Sequence, residues 1–239
     1  MFKDLFFPRT CALCGKVVGD DPVLCRECLT HLPRTEQAVI RGNTTEELFA
    51  GLPRFQRGAV FLFFEHGDKY HRLIHQMKYG VFADPTIGYL LAKEAAADYL
   101  QSDFFDGIDL ILPVPLHPRR LRERGFNQAE WIAKGLSEIT HIPVNSALLI
   151  RKRSNEHQAN LSRQERLNNV QDLFALTEPK QLSNRHVLLV DDVITTGATV
   201  RACMAAFKSV RNCKISVFGI AKSNSLKSSF DKFWFLNAQ

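Results

Sequence analysis

The most constraining stretch of the chain is VLLVDDVITTGAT, Val187 to Thr199: four apolar residues, two aspartates, then a loop of hydroxyls and glycine that opens a helical pattern. A strand covered on both faces reads as such an apolar run and belongs in a parallel sheet flanked by helices. The rest of the chain repeats the alternation. Apolar runs at Gly58 to Phe64, Asp109 to Val114, Ala147 to Ile150 and Ile215 to Ala221 are separated by residues at helical spacing. These are Tyr70, Leu73, Ile74 and Met77; Ile87 to Tyr99 after Pro85; Ile132, Ala133, Leu136 and Ile139; and Val200, Cys203, Met204, Phe207 and Val210. The order predicts an α/β fold with a mostly parallel sheet flanked by helices. Two polar stretches interrupt it. PLHPRRLRERGFNQ, after the second run, reads as an arginine-laden loop, and RKRSNEHQANLSRQERLNNVQDLF reads as a mobile excursion in which Ser162 and Glu165 form a capping box.

In an open α/β sheet, ligands collect at the carboxyl ends of strands, where loop amides and a helix amino terminus hold anions. Gly197 lets the backbone close on a phosphate, and Thr195, Thr196 and Thr199 supply hydroxyl donors. Asp191 and Asp192 would repel that phosphate, so they call for another part of the same ligand. Sugar hydroxyls donate to carboxylates, and a phosphate near vicinal hydroxyls describes a ribose 5-phosphate. A Walker B strand would need a GxxxxGK[ST] loop, which the sequence lacks. A receiver domain needs several βα units after its acids, and the 47 residues that follow Asp192 are too few at ~30 residues per unit. Acids that merely cap a helix require neither the carboxylate pair nor the full TTGAT.

Of the six cysteines, Cys11 and Cys14 form CALC, and Cys25 and Cys28 form CREC ten residues later. Two such pairs suit one tetrahedral metal, a structural zinc with no open position for catalysis. Two disulfides or four unrelated thiols are the competing readings; a reducing cytosol argues against the first and the regular spacing against the second. Arg9, Lys16 and Arg26 are placed to offset the thiolate charge, and Cys203 and Cys213 read as inert. The 239 residues are 45% hydrophobic and 23% charged, values of a folded chain, and no apolar run approaches the roughly 18 residues of a spanning helix. MFKDLFFPRT is too short and interrupted for a secretory signal, so a cytoplasmic location is expected. The net charge of +6 is concentrated: ten basic residues face five acidic ones between His117 and Arg166. That block should attract polyanions, unless it is an ordinary solvated surface.

VLLVDDVITTGAT resembles the phosphoribosyl pyrophosphate (PRPP) signature of type I phosphoribosyltransferases. The CxxC pairs, LPVPLHPRRLRERGFNQ and RxxxxxHQxxLSRxERxxN, in that order over nearly the whole chain, resemble the ComF family, which includes ComFC and GntX proteins. The resemblance implies a type I phosphoribosyltransferase fold with a flexible lid and an amino-terminal zinc module. It implies that Asp191 and Asp192 hold ribose hydroxyls and that Thr195, Thr196, Gly197, Ala198 and Thr199 cradle the 5-phosphate. Leu116, His117, Arg119 and Arg120 would lie nearest the pyrophosphate. Gln158, Leu161, Arg163, Arg166 and Asn169 match the lid, with Gln158 and Arg166 counted beside Arg119 and Arg120 as catalytic, and Mg²⁺ would bridge pyrophosphate and ribose hydroxyls. His157 is either a proton shuttle or an exposed loop histidine. His66, His71 and His75 lack metal spacing.

The expected organisation is a zinc-binding module at 1–32, a connector at 33–54 and a phosphoribosyltransferase-like domain at 55–239. The resemblance further implies a role in DNA uptake during natural competence or in the use of DNA as nutrient. Its implied partners are PRPP, single-stranded DNA and other competence proteins such as a DNA-translocating helicase. A non-catalytic DNA-binding module with an effector in the old PRPP site, and a metabolic transferase acting on a free base or amine, stay open beside it. For DNA contact, Arg151, Lys152 and Arg153 form a second basic cluster, read as separate from the small-ligand site. Phe126 and Tyr79 are stacking candidates that also suit a core.

Overall fold

A computed structural model describes residues 10–18, 23–79, 83–152 and 173–223. Four parallel strands form the central sheet in the order β1-β6-β5-β2. These are β1 (Phe55–Phe64), β2 (Leu110–Pro113), β5 (His186–Val193) and β6 (Lys214–Ser223). Val144 extends the sheet past β2 through a parallel bridge to Ile111. The short strands β3 (Leu149–Arg151) and β4 (Phe174–Leu176) pair antiparallel as a separate two-stranded ribbon.

The apolar runs are buried on both faces, as their composition requires, and successive residues serve different layers. Leu188 and Val190 of β5 point into a core shared with α3 (Thr86–Tyr99) and α5 (Gln128–Thr140). Val187 and Leu189 point into the opposite core, with Val200, Cys203 and Phe207 around α6 (Ala198–Ala205). The result is a three-layer α/β unit. Helices α3 and α5 approach closely because α5 carries Gly135, where a Cβ would lie 2.3 Å from the Tyr89 carbonyl oxygen. No helix among the described residues is long and apolar enough to cross a membrane.

Residues 33–54 lie along the free edge of β1. The Phe63 amide donates to the Pro33 carbonyl at 3.0 Å and the Thr35 amide to that of Phe61 at 2.8 Å. Arg57 anchors the segment from within, reaching Glu46 at 2.7 Å and Asp103 at 2.6 Å. The short α1 (Arg26–Thr30) and the two cysteine turns precede it. They are tied to the body by Arg34, which contacts Asp98 at 2.8 Å and donates to the Leu29 carbonyl, and by the Tyr70 hydroxyl, which donates to His31.

Three elements differ from expectation: β4 was not read from the sequence, β3 lies in the antiparallel ribbon and not in the parallel sheet, and part of the arginine-laden segment is a helix. That helix, α4 (Pro118–Arg124), follows α2 (Lys69–Gln76) and α3 in chain order. His117 caps it, accepting the Arg119 amide at 3.2 Å; Pro118 opens it and Gly125 closes it at φ 79°. Proline at the first position and a left-handed glycine after the last are ordinary helix boundaries. Arg119 and Glu123, four apart and 2.8 Å from one another, support it. None of its residues is buried.

Candidate functional site

Strand β5 delivers Asp191 and Asp192 to the carboxyl edge of the sheet. The two carboxyl groups accept from their successors' amides, Asp192 N–H to Asp191 at 2.9 Å and Val193 N–H to Asp192 at 2.6 Å. Beyond β5, Gly197 takes φ 73° and opens α6. A Cβ there would meet the Phe49 ring at 2.8 Å, so only glycine lets this loop lie on the fully buried Phe49.

Asp191 and Asp192 form the floor of an open cleft with a cavity volume of about 140 Å³, walled by Leu116, Arg120, Thr199, Arg151, Lys78, Tyr79, Arg124 and Gln128. Two further hollows open from it. One lies against His117, Arg119, Arg120, Glu123, Arg151 and Thr199; the other lies against Lys78, Tyr79, Ala83, Arg120, Glu123 and Arg124. The structure thus gathers Leu116, His117, Arg119, Arg120, Asp191, Asp192 and Thr199 around one space. Thr195 and Thr196 are exposed on the adjoining loop, and Ala198 is exposed at the first position of α6. Gln158 and Arg166, with the other expected lid residues Leu161, Arg163 and Asn169, His157, and Arg153 lie outside the described residues.

The electrostatics of the aspartates differ. Lys78, which follows α2, pairs with Asp192 at 2.8 Å, and both side chains are only 16% exposed. Burial, and then the charge of Asp192, push the Asp191 carboxyl up to about 7, against the pull of Lys78 and Arg151. Arg151 has an unpaired, buried Nε, and burial lowers its proton affinity, followed by repulsion from Arg120. The reading that set Arg151 apart with Lys152 and Arg153 is therefore corrected. The β3–β4 ribbon brings Arg151 back to the cleft, a return that chain separation does not reveal.

Sequence reasoning also missed Lys78, Arg124 and Gln128. Gln128 is almost wholly buried; its oxygen accepts from Arg124 Nη1 at 3.1 Å and its Nε2 is unpaired. Arg124 stands 4.4 Å from the centroid of Tyr79. Tyr79 is 48% exposed at the cleft rim, so it is no core residue, while Phe126 is half-buried. The one signal for Lys78 was its place where the apolar period of α2 stops.

At the opposite end of the chain, the ligand atoms of Cys11, Cys14, Cys25 and Cys28 all lie within 4.8 Å of one another. Cys14 Sγ and Cys25 Sγ are 3.7 Å apart, close to the ~3.8 Å edge of a tetrahedron with Zn–S bonds of about 2.3 Å. The donor set and spacing fit zinc. Burial opposes ionisation of Cys11, but the amides of Cys25, Cys14 and Leu13 outweigh it and bring the thiol down to about 6. Lys16 makes its nearest contact with Glu27, at 2.6 Å. Cys203 and Cys213 are buried, and burial raises both thiols, Cys213 to about 11.

Two family profiles match the chain: a double zinc ribbon domain over residues 2–39 and a phosphoribosyl transferase domain over residues 89–234. DNA utilization protein YhgH of Escherichia coli is 31% identical over 193 residues, covering 80% of each chain. Competence protein F of Haemophilus influenzae is 28% identical over 214 residues, covering 89% of this chain and 84% of its own. Competence protein ComFC of Bacillus subtilis is 32% identical over 115 residues, 48% of this chain and 45% of its own. With a cysteine cluster at one end and a carboxylate-floored cleft on a parallel sheet at the other, the chain belongs to the ComF family, in which a zinc ribbon is joined to a type I phosphoribosyltransferase-like domain.

Proposed function

We propose that this is a cytoplasmic, PRPP-binding phosphoribosyltransferase-like protein that acts in DNA uptake or use, as the names of its relatives suggest. We divide it into a zinc module (1–32), a connector (33–54) and a transferase domain (55–239). One observation carries the reading: the paired carboxylates of Asp191 and Asp192 and the guanidinium groups of Arg120 and Arg151, without carboxylate partners among the described residues, line a single cleft. Asp191 and Asp192 accept from the ribose hydroxyls, while the α6 amino terminus with Thr195 to Thr199 holds the 5-phosphate. Arg120 and Arg151 face the pyrophosphate, with Arg119, His117 and Leu116 beside them. As the bond from C1 to pyrophosphate breaks, negative charge grows on the leaving group, and fixed guanidinium groups favour that state over the ground state.

Magnesium, when bound, neutralises pyrophosphate charge and orients the ribose hydroxyls. The donor set suits a cation that arrives with the ligand. Among the described residues no third metal-ligating side chain joins the two aspartates, and Lys78 already pairs with Asp192. Asp191 and Asp192 would hold it through the hydroxyls.

The test is calorimetry of the zinc-loaded chain with PRPP and Mg²⁺. Binding is expected, and Asp191→Asn with Asp192→Asn should weaken it at least tenfold, since charge-assisted hydrogen bonds contribute about 1.5 to 3 kcal/mol each. Unchanged affinity in a folded double variant would place the ligand elsewhere.

Single-stranded DNA is proposed as a second ligand, supported by α4. The exposed Arg122 lies on a helix with no buried residue, so its charge is available to a polyanion.

A further inference from the structure

Helix α6 borders a second concave surface, a groove with a cavity volume of about 420 Å³ that shares no lining residue with the carboxylate-floored cleft. Its floor follows from the helix sequence. Ala198, Ala202 and Ala205 recur at helical spacing, and their single methyl groups leave a furrow beside Met204. Leu52 and Pro53, from the segment that leads into β1, form the opposite wall. The volume lies within the range of pockets that hold a ligand.

The polar part of the lining is wholly cationic. Arg201 and Lys208 are exposed, and neither has a carboxylate partner among the described residues. Arg201 rests 5.9 Å from the centroid of the buried Phe49 ring. Arg54 is held at a left-handed φ of 71°, its Nη2 donating to the carbonyls of Val210 at 2.7 Å and Lys208 at 3.2 Å. Its Nε is buried without an acceptor. No Asp or Glu lines the groove.

Three positive charges around an apolar floor call for a ligand that is acidic and apolar at once. Arg201 and Lys208 are seven residues apart, about 10 Å along the helix axis. Three or four extended residues, at about 3.3 Å each, span that distance. Nucleic acid matches the charge but not the floor, since no aromatic ring lines the groove for a base to stack on. Residues 224–239 of this chain are rich in aromatic side chains but carry two lysines against one aspartate, the wrong sign for the rim.

We propose that the α6 groove docks an acidic peptide segment of a partner protein, with carboxylates on Arg201 and Lys208 and a large apolar side chain on the alanine floor. The proposal does not depend on what occupies the carboxylate-floored cleft.

The test is fluorescence anisotropy of short labelled peptides with the full zinc-loaded chain. GDDLFEDLG should bind. GKKLFKKLG, of opposite charge, and GDDSSEDSG, without the apolar side chains, should bind at least tenfold more weakly. Arg201→Glu and Lys208→Glu should each weaken GDDLFEDLG about tenfold, and the doubly reversed chain should prefer GKKLFKKLG. That gain of binding cannot come from damage to the fold. Equal affinity for the serine peptide, or unchanged affinity for GDDLFEDLG in the doubly reversed chain, would overturn the proposal. Other occupants are tested in the same assay. Displacement of GDDLFEDLG by oligothymidylate would give the groove to nucleic acid, and displacement by a synthetic peptide of residues 226–239 would give it to the chain's own segment. A dimer in light scattering that the double reversal converts to monomer would give it to a second copy. Each of these three results overturns the proposal.

Discussion

Asp191 and Asp192 are neighbours on β5 with opposite partners: Lys78 contacts Asp192, while Asp191 has burial and a second negative charge against it. A carboxyl raised from 3.8 to about 7 holds a proton in the folded chain that the unfolded chain has released. Its effect on stability is favourable at low pH and is lost as pH rises through that window. Asp191→Asn carries no such loss, so its melting temperature should equal that of the parent near pH 4 and exceed it by several degrees at pH 8. A constant difference across pH would remove the assignment. Ionised Asp191 is also the form that accepts ribose hydroxyls, so PRPP affinity should rise through pH 7. At this scale the sequence was legible where chemistry is local: the aspartates, the threonines and the four cysteines are each read from a short string. Lys78, Gln128 and Arg151 were not, because the sheet order and the β3–β4 ribbon bring them to the cleft from separate segments.

The four strands of the central sheet were recovered from apolar runs because they are covered on both faces, which makes their composition uniform; β4, a half-buried strand of the separate ribbon, was not. Helix α4 was hidden by its charge. Its helical signals, Pro118 and Gly125, are local, but nothing apolar on it is buried and no hydrophobic period marks it. A further element-scale feature was also beyond sequence reasoning: the 3₁₀ turn Glu47–Phe49 of the connector packs against the loop that opens α6 at Gly197. Gly197→Ala should therefore fail twice, through a left-handed φ of 73° and through a 2.8 Å collision with Phe49. Each effect costs about 1 to 3 kcal/mol. Adding Phe49→Ala should relieve the collision, leave the φ strain and open a cavity, so the double variant should also melt below the parent. Ribose 5-phosphate affinity, measured by calorimetry, should fall in Gly197→Ala while pyrophosphate affinity holds. Parent-like melting and affinity would show that the loop does not depend on this contact.

Across the whole molecule, the zinc ribbon and the transferase domain are joined by contacts that a boundary drawn in sequence does not convey. Arg34 holds Asp98 on α3 and the Leu29 carbonyl of α1, and residues 33–54 cover the edge of β1. Among its described residues the ribbon buries only Cys11, Leu24, Cys28 and Leu32, so its fold should depend on metal held by its four thiols. Cys25→Ser should lose zinc, seen by metal analysis, and become protease-sensitive within residues 10–30, while the sheet keeps its cooperative melting. Retained zinc, or an uncleaved amino terminus without it, would refute this dependence. Charge is the second whole-molecule property, and there the fold divides a block that the sequence shows as one. Arg151 turns into the cleft with a buried, unpaired Nε, whereas Arg122 is exposed on α4. The two should separate small ligand from polyanion. Single-stranded DNA binding should fall with salt by about 0.7 log units per log unit of salt for each phosphate neutralised, largely independent of sequence. Arg122→Ala should flatten that slope by roughly one such step and leave PRPP affinity unchanged. Arg151→Ala should weaken PRPP binding at least tenfold, the loss expected when a charged donor worth about 1.5 to 3 kcal/mol is removed. Filter binding over a salt series, paired with calorimetry, reads both. If Arg122→Ala leaves the DNA slope unchanged, α4 is not part of a polyanion surface; if Arg151→Ala leaves PRPP affinity intact, the pyrophosphate is held by α4 alone.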